Sequence, residues 1–222
     1  MVLRWPKGWP AILCGGNPMS TAANDEWMQI LSRLNSILLQ SNVLRGNVPQ
    51  QALSTGWCGL PPATESEIIR TEKRLGISLP PSYRSFLSIS NGWRPFSTFI
   101  ASLSPVEEID RFQSADPQRL AMVVGDYQED ELSDDEYLDY QTPEHMVALR
   151  LRYFPESVLV GKPWGSESDI VLLNPSVVFP NGELEAIFFA NWLPGNLRYR
   201  SFRDLVEEGI TDLERSENPP AS

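Results

Sequence analysis

The chain has little of what most catalytic and metal sites require. Among its 222 residues there are two cysteines, Cys14 and Cys58, and one histidine, His145. Two cysteines make no disulfide framework and fit a reducing cytoplasm. No cysteine or histidine pair stands at finger spacing, so a structural zinc site lacks its ligands. A Ser–His or Cys–His pair would have to use His145, which follows Pro143-Glu144 with no nucleophile elbow nearby, so it reads as structural. No apolar run approaches the roughly 20 residues of a membrane-spanning helix. Phosphate-cradling loops are missing too: Gly15-Gly16 lies at the extreme N-terminus, and GKPWGSES (161–168) lacks the Walker spacing. The 18 basic residues form no cluster. Their densest group, Arg198, Arg200 and Arg203, reads as helix-flanking surface or as partners for the domain's own acids. A net charge of −11 repels phosphate backbones and argues against direct nucleic-acid contact.

What is present points to a packed domain. Hydrophobic residues are 41% and aromatics 10%, with seven Trp, more ring area than a disordered chain carries. The length suits one generous domain. Nineteen prolines predict many loops and short elements. The acidity is concentrated. DYQEDELSDDEYLDY (126–140) holds eight carboxylates: Asp126, Glu129, Asp130, Glu131, Asp134, Asp135, Glu136 and Asp139. It contains no Lys or Arg. The run lacks the Gly and closing spacing of a calcium loop, so no specific metal site is implied. Two readings stand side by side, a solvated loop and a contact surface for a basic partner.

Periodicity divides the chain. Residues 24–40 predict a helix capped by Asn24, with Trp27, Ile30, Leu31, Leu34, Ile37 and Leu38 on one stripe. The stretch from Ser41 to Pro62 reads as loop. Thr64-Glu65-Ser66-Glu67 has the capping-box spacing, and Gly76 sits where a left-handed C-terminal cap belongs. Pro81 suits the first turn of the next helix, which Asn91-Gly92 ends. VEEIDRF (106–112) reads as a short helix. After the acidic run the period becomes two: MVALRL (146–151), SVLVG (157–161), DIVLLN from Asp169 and LEAIFFANW (184–192) predict strands. In the last, Leu184, Ala186, Phe188, Ala190 and Trp192 share a face, so Trp192, like Trp27, is expected in the core. Trp57, Trp93 and Trp164 lie beside Gly or Pro, where core packing and partner anchoring both fit. Ser201 caps a final helix that Gly209 ends. Helices first, strands next and one closing helix predict an α+β fold, N-terminal helices on a mainly antiparallel sheet. Residues 1–20 read as a disordered leader or mis-assigned start, 21–213 as the domain and 214–222 as a flexible tail.

The segment PPATESEIIRTEKRLGISLPPSYRSFLSISNGW (61–93) resembles the signature of the SUKH superfamily. Glu67, Glu72, Leu75, Gly76, Leu79, Pro80, Tyr83, Phe86, Leu87, Asn91 and Gly92 carry the likeness. GSESDIVLLNP, the Trp/Phe-rich strand and RYRSFRDLVEEG follow in the same order. Every residue in that list also has a folding role, so the signature speaks to fold before partner. The resemblance implies a non-enzymatic domain with no cofactor and no catalytic residue to carry over. Bacterial members look like immunity proteins that neutralise toxins, often nucleases or nucleic-acid deaminases. Others act as regulatory or scaffold modules without a toxin partner. For this chain it implies a cytoplasmic protein whose partner is a basic toxin. The candidate contact residues are Asp126, Tyr127, Glu129, Asp130, Glu131, Asp134, Asp135, Glu136, Tyr137 and Asp139, with Trp93 and Trp164. The toxin's identity and the oligomeric state stay open.

Overall fold

The structure is a computed structural model, described here for residues 21–165, 169–193 and 195–217. Residues 1–20, expected to be a leader, residues 166–168 of GSES, residue 194 and residues 218–222 of the expected tail lie outside the described residues. Helices α1 (Thr21–Gln40), α2 (Gln50–Thr55), α3 (Glu65–Leu75) and α4 (Pro81–Ile89) come first. Strands β1 (Ile100–Leu103) and β2 (Asp110–Arg111) follow, then α5 (Phe112–Ala115), α6 (Pro117–Asp126), α7 (Asp134–Tyr137) and α8 (Pro143–Met146). Strands β3 (Val158–Pro163), β4 (Ile170–Val178), β5 (Leu184–Phe189) and β6 (Asn196–Tyr199) complete the sheet before α9 (Phe202–Glu217). The sheet is antiparallel in the order β1-β3-β4-β5-β6, with β2 also on β3. The α+β architecture with a closing helix is therefore the one the sequence predicts.

Local signals explain the first half. The Thr64 hydroxyl accepts from the Glu67 amide at 3.3 Å, and the Glu67 carboxylate accepts from the Thr64 amide at 2.7 Å. Each group fills an orphan of the first turn. Gly76 ends α3 at φ 68°, its amide bonded to the Glu72 carbonyl. The Glu72 side chain then accepts from the Leu79 amide at 2.8 Å and draws the chain toward α4.

Both faces of the sheet are covered and largely apolar, which is why its strands read as near-continuous Val, Ile, Leu and Phe. Register Leu172↔Ile187 and Leu173↔Ala186 sends alternate residues to opposite sides. Val160, Val171, Leu173 and Ala186 join the helical core, where Trp27, Tyr83, Phe86 and Phe202 interlock at 4.8–5.9 Å between ring centroids. Leu159, Ile170, Leu172, Ile187 and Phe189 face a second cluster with Phe112, Val123, Leu149 and Phe154.

Several predicted elements change. Helix α1 begins at Thr21, so Asn24 lies within it. The supposed loop 41–62 contains α2. VEEIDRF forms no helix: the Thr71 hydroxyl and the Arg74 guanidinium capture the Val106 and Ile109 carbonyls, and Asp110-Arg111 pair with β3. MVALRL is no strand either. Met146 ends α8, and Leu149 bonds Asp130 instead of a neighbouring strand: amide to carboxylate at 2.7 Å, carbonyl to amide at 2.9 Å. Strand β5 stops at Phe189. Helix α9 runs through Gly209 and takes in 214–217, which the sequence assigned to a tail. Gly209 serves packing, because a Cβ there would stand 3.3 Å from the Phe96 ring.

Candidate functional site

The acidic run is folded, and most of its charge is committed internally. Helix α6 carries the chain across the second core face and delivers Tyr127, whose ring packs on Phe189 at 5.2 Å. Ser133 and Glu136 form a second capping box that starts α7. The Ser133 hydroxyl and amide lower the Glu136 carboxyl below its ordinary range. Glu129 pairs with Arg152 at 2.9 Å. Asp130 accepts from the Leu149 amide. Asp134 pairs with Arg150 at 2.5 Å and lies 3.5 Å from Arg152, and hydrogen bonding to Arg150 holds its carboxyl down. Asp139 accepts from the Thr142 hydroxyl at 2.5 Å and the Gln141 amide at 2.8 Å, with His145 Nδ1 at 3.2 Å. Those bonds, the Thr142 hydroxyl's first, hold Asp139 down to about 2. Only Asp126, Glu131 and Asp135 remain exposed with no side-chain partner.

Beneath the run lies a polar network that the sequence did not announce. Glu185 and Arg198 are fully buried and meet at 2.7 Å. Glu185 also accepts from Asn174 Nδ2 at 2.7 Å and from the Tyr137 and Tyr140 hydroxyls. Arg198 donates to the His145 and Tyr137 carbonyls, and its guanidinium carbon stands 3.4 Å from the Tyr137 ring centroid. Burial, and then the Glu185 charge, push both tyrosine hydroxyls well above their ordinary value. Such a pair is tolerable inside a protein only when each lone pair and N–H finds a partner. Here Asn174, Glu185 and Arg198 stand on three adjacent strands and reach up to the chain between Tyr137 and His145. The Arg198 reading as a partner for the domain's own acids fits this geometry; its reading as surface does not.

The sequence-selected contact residues therefore separate. Tyr137 is 1% exposed and belongs to the polar network. Trp93 is 0% exposed and stacks edge-on against Trp57 at 5.0 Å, so it is core and cannot anchor a partner. Glu129, Asp130, Asp134, Glu136 and Asp139 are held by the fold. Trp164 is half-buried and donates to the Ser97 carbonyl at 3.0 Å. Asp126, Glu131 and Asp135 are open to solvent, and Tyr127 is half-buried with its hydroxyl on the Asn191 carbonyl at 2.9 Å.

That last bond leads to residues the sequence reading placed wrongly or passed over. Trp192, expected in the core, is 53% exposed, and Phe99 is 41% exposed. Their ring centroids lie 4.8 Å apart, and both pack on Phe188. Strand β5 ends before Trp192 because the chain turns: the Leu193 amide bonds the Ala190 carbonyl at 3.1 Å. The Leu193-Pro194-Gly195 sequence just after Trp192 was the available sign of that turn.

Among the described residues no group of His, Cys, Asp and Glu is placed to hold a metal ion, and no helix is long and apolar enough to cross a membrane. A family model described as the SMI1 / KNR4 family (SUKH-1) matches residues 62–208, more than half of the chain. No curated protein matches it.

Proposed function

We propose, for a chain that belongs to the SMI1 / KNR4 family (SUKH-1), the role of a non-enzymatic immunity protein that binds and neutralises a cognate toxin in the cytoplasm. The family match over 62–208 carries this reading. The toxin class it suits is a nuclease or nucleic-acid deaminase, whose phosphate-gripping groove is basic. The exposed carboxylates of Asp126, Glu131 and Asp135, on a chain of net charge −11, would steer such a groove toward this protein. Steering of that kind raises association rate more than affinity. The test is co-expression with the toxin encoded beside its gene, followed by co-purification and an assay of toxin activity. A stoichiometric complex in which the toxin is silent is the expected result. Absence of a complex would replace this reading with a regulatory or scaffold role.

A further inference from the structure

A hollow of about 370 Å³ opens where α2 and the Trp57–Pro61 segment cross Trp93, Arg94 and β1. Pro49, Trp57, Leu60, Pro61 and Pro105 give it apolar walls, and Ser102 and Arg94 add polar groups. That size and that mixture, apolar walls with a few convergent polar groups, are those of a site for a small ligand.

The polar groups are ones the fold does not use. Ten arginines among the described residues pair with carboxylates: Arg33, Arg74, Arg84, Arg111, Arg119, Arg150, Arg152, Arg198, Arg203 and Arg215. Arg94 does not. It is exposed, and its guanidinium meets no acceptor among the described residues. Ser102 is 7% exposed, and its hydroxyl also bonds nothing among the described residues. A hydroxyl taken from water without a partner costs stability unless something else satisfies it. Glu108 is the other charged residue lining the hollow, and Lys162 pairs with it at 2.8 Å. Arg94 is therefore the uncompensated charge of the site.

The hollow is held open by bonds that leave its walls little freedom. The buried Asn35 side chain donates to the Gly56 carbonyl and accepts from the Cys58 amide, both at 2.9 Å. Trp93 and Leu103 exchange amide–carbonyl bonds at 3.1 and 2.9 Å, and the Arg94 amide bonds the Cys58 carbonyl at 3.3 Å. A site fixed before binding loses little conformational freedom on contact.

We infer that this hollow binds an organic monoanion: a carboxylate, taken by Arg94 and Ser102, on an apolar body that fills the space between Leu60 and the prolines. The planar guanidinium matches a carboxylate in shape and charge. One uncompensated cation suits one negative charge, and Glu108 disfavours a dianion. The site shares no residue with the acidic run and does not depend on the immunity role. Such a carboxylate can come from a free small acid or from the C-terminus of another chain. The experiment follows the backbone amides of Leu60, Arg94 and Ser102 by NMR in the full chain. The probes are phenylacetate, phenylacetamide, inorganic phosphate and the peptide Gly-Gly-Phe. Arg94→Gln and Ser102→Ala serve as variants, and both should keep the wild-type urea midpoint, because neither side chain bonds within the fold. Phenylacetate should shift those amides in a saturable way, and phenylacetamide should not. Arg94→Gln should weaken phenylacetate by about 10-fold or more, as loss of a charged hydrogen bond does, and Ser102→Ala by less. Tighter binding of Gly-Gly-Phe than of phenylacetate would support the site and name a C-terminus as the source; the reverse would support it and name a free acid. Equal binding of phenylacetate and phenylacetamide, or of phenylacetate and phosphate, would overturn the assignment. So would wild-type affinity in Arg94→Gln, or no binding of either carboxylate.

Discussion

The two faces of the sheet are held by different physics. The helical face is mainly apolar, with Leu31, Leu34, Tyr83, Phe86 and Phe202 wholly buried there and only a few buried polar groups among them, such as Asn35 and the Ser82–Glu183 hydrogen bonds. The opposite face begins apolar at Leu172, Ile187 and Phe189 but ends polar at Asn174, Glu185 and Arg198. Apolar burial is non-directional, so approximate shape suffices and a lost contact costs in proportion to its area. A buried ion pair is directional and unforgiving, because removing one partner strands the other. The first arrangement builds a core. The second fastens one particular segment, the acidic run, in one particular place.

The largest effect should come from stranding one charge of the buried pair. Glu185→Ala or Arg198→Ala should each cost about 3–5 kcal/mol in urea unfolding. Glu185→Leu combined with Arg198→Met should cost less than the sum of its single changes. Strict additivity would mean the pair is not coupled. Phe86→Ala should cost a similar amount, about 3–5 kcal/mol, but should leave the run attached to the sheet. Exchange of the Tyr137 and Leu149 amides separates the two cases.

Capping gives a smaller contrast. Thr64→Ala should lower global stability by about 1 kcal/mol. Ser133→Ala, at the matching position of α7, should speed exchange of the Glu136 and Tyr137 amides and move the global midpoint much less. Equal global effects would erase the distinction between the two faces.

The charges themselves sharpen it further. Asp126→Asn/Glu131→Gln/Asp135→Asn should leave the urea midpoint unchanged and slow toxin association at low salt. Asp130→Asn/Asp134→Asn should loosen the run, because those carboxylates hold the Leu149 amide and the Arg150 guanidinium. Identical behaviour of the two sets would show that the division into committed and unpaired acids is wrong.

The smallest effect is in pH. Asp139, ordinarily near 3.8, is held down to about 2, so its ionised form belongs to the folded state. Its contribution is whole above about pH 4 and disappears as pH falls toward 2. Local exchange around Gln141–His145 should rise across that window, and Asp139→Asn should abolish the rise.

What could be read from the chain follows the same division. Thr64, Glu67, Gly76 and Pro81 act within one turn of themselves, so the helices they bound were legible. Val106–Phe112 has helical spacing, but Thr71 and Arg74, more than thirty residues away, claim the carbonyls a helix would use. Gly209 resembles a stop and instead makes room for Phe96. Trp192 continues an apolar alternation that the turn at Ala190–Leu193 breaks. Nothing within one turn of Glu185 or Arg198 indicates that they meet inside the molecule. The acidic composition of 126–140 suggested a surface, whereas five of its eight carboxylates serve the fold. Of the selected contact residues, Trp93 and Tyr137 proved interior, and the exposed Phe99–Trp192 pair lay outside the selection.

Whether the buried Glu185–Arg198 pair fastens the acidic run is read from amide hydrogen exchange across residues 127–150 of the wild-type chain and Arg198→Ala. The Asp130, Tyr137 and Leu149 amides of the wild-type chain should be protected nearly as well as strands β4 and β5, and Arg198→Ala should release them while the helical face stays protected. Exchange of these amides at the rate of an unstructured peptide in the wild-type chain would contradict that fastening.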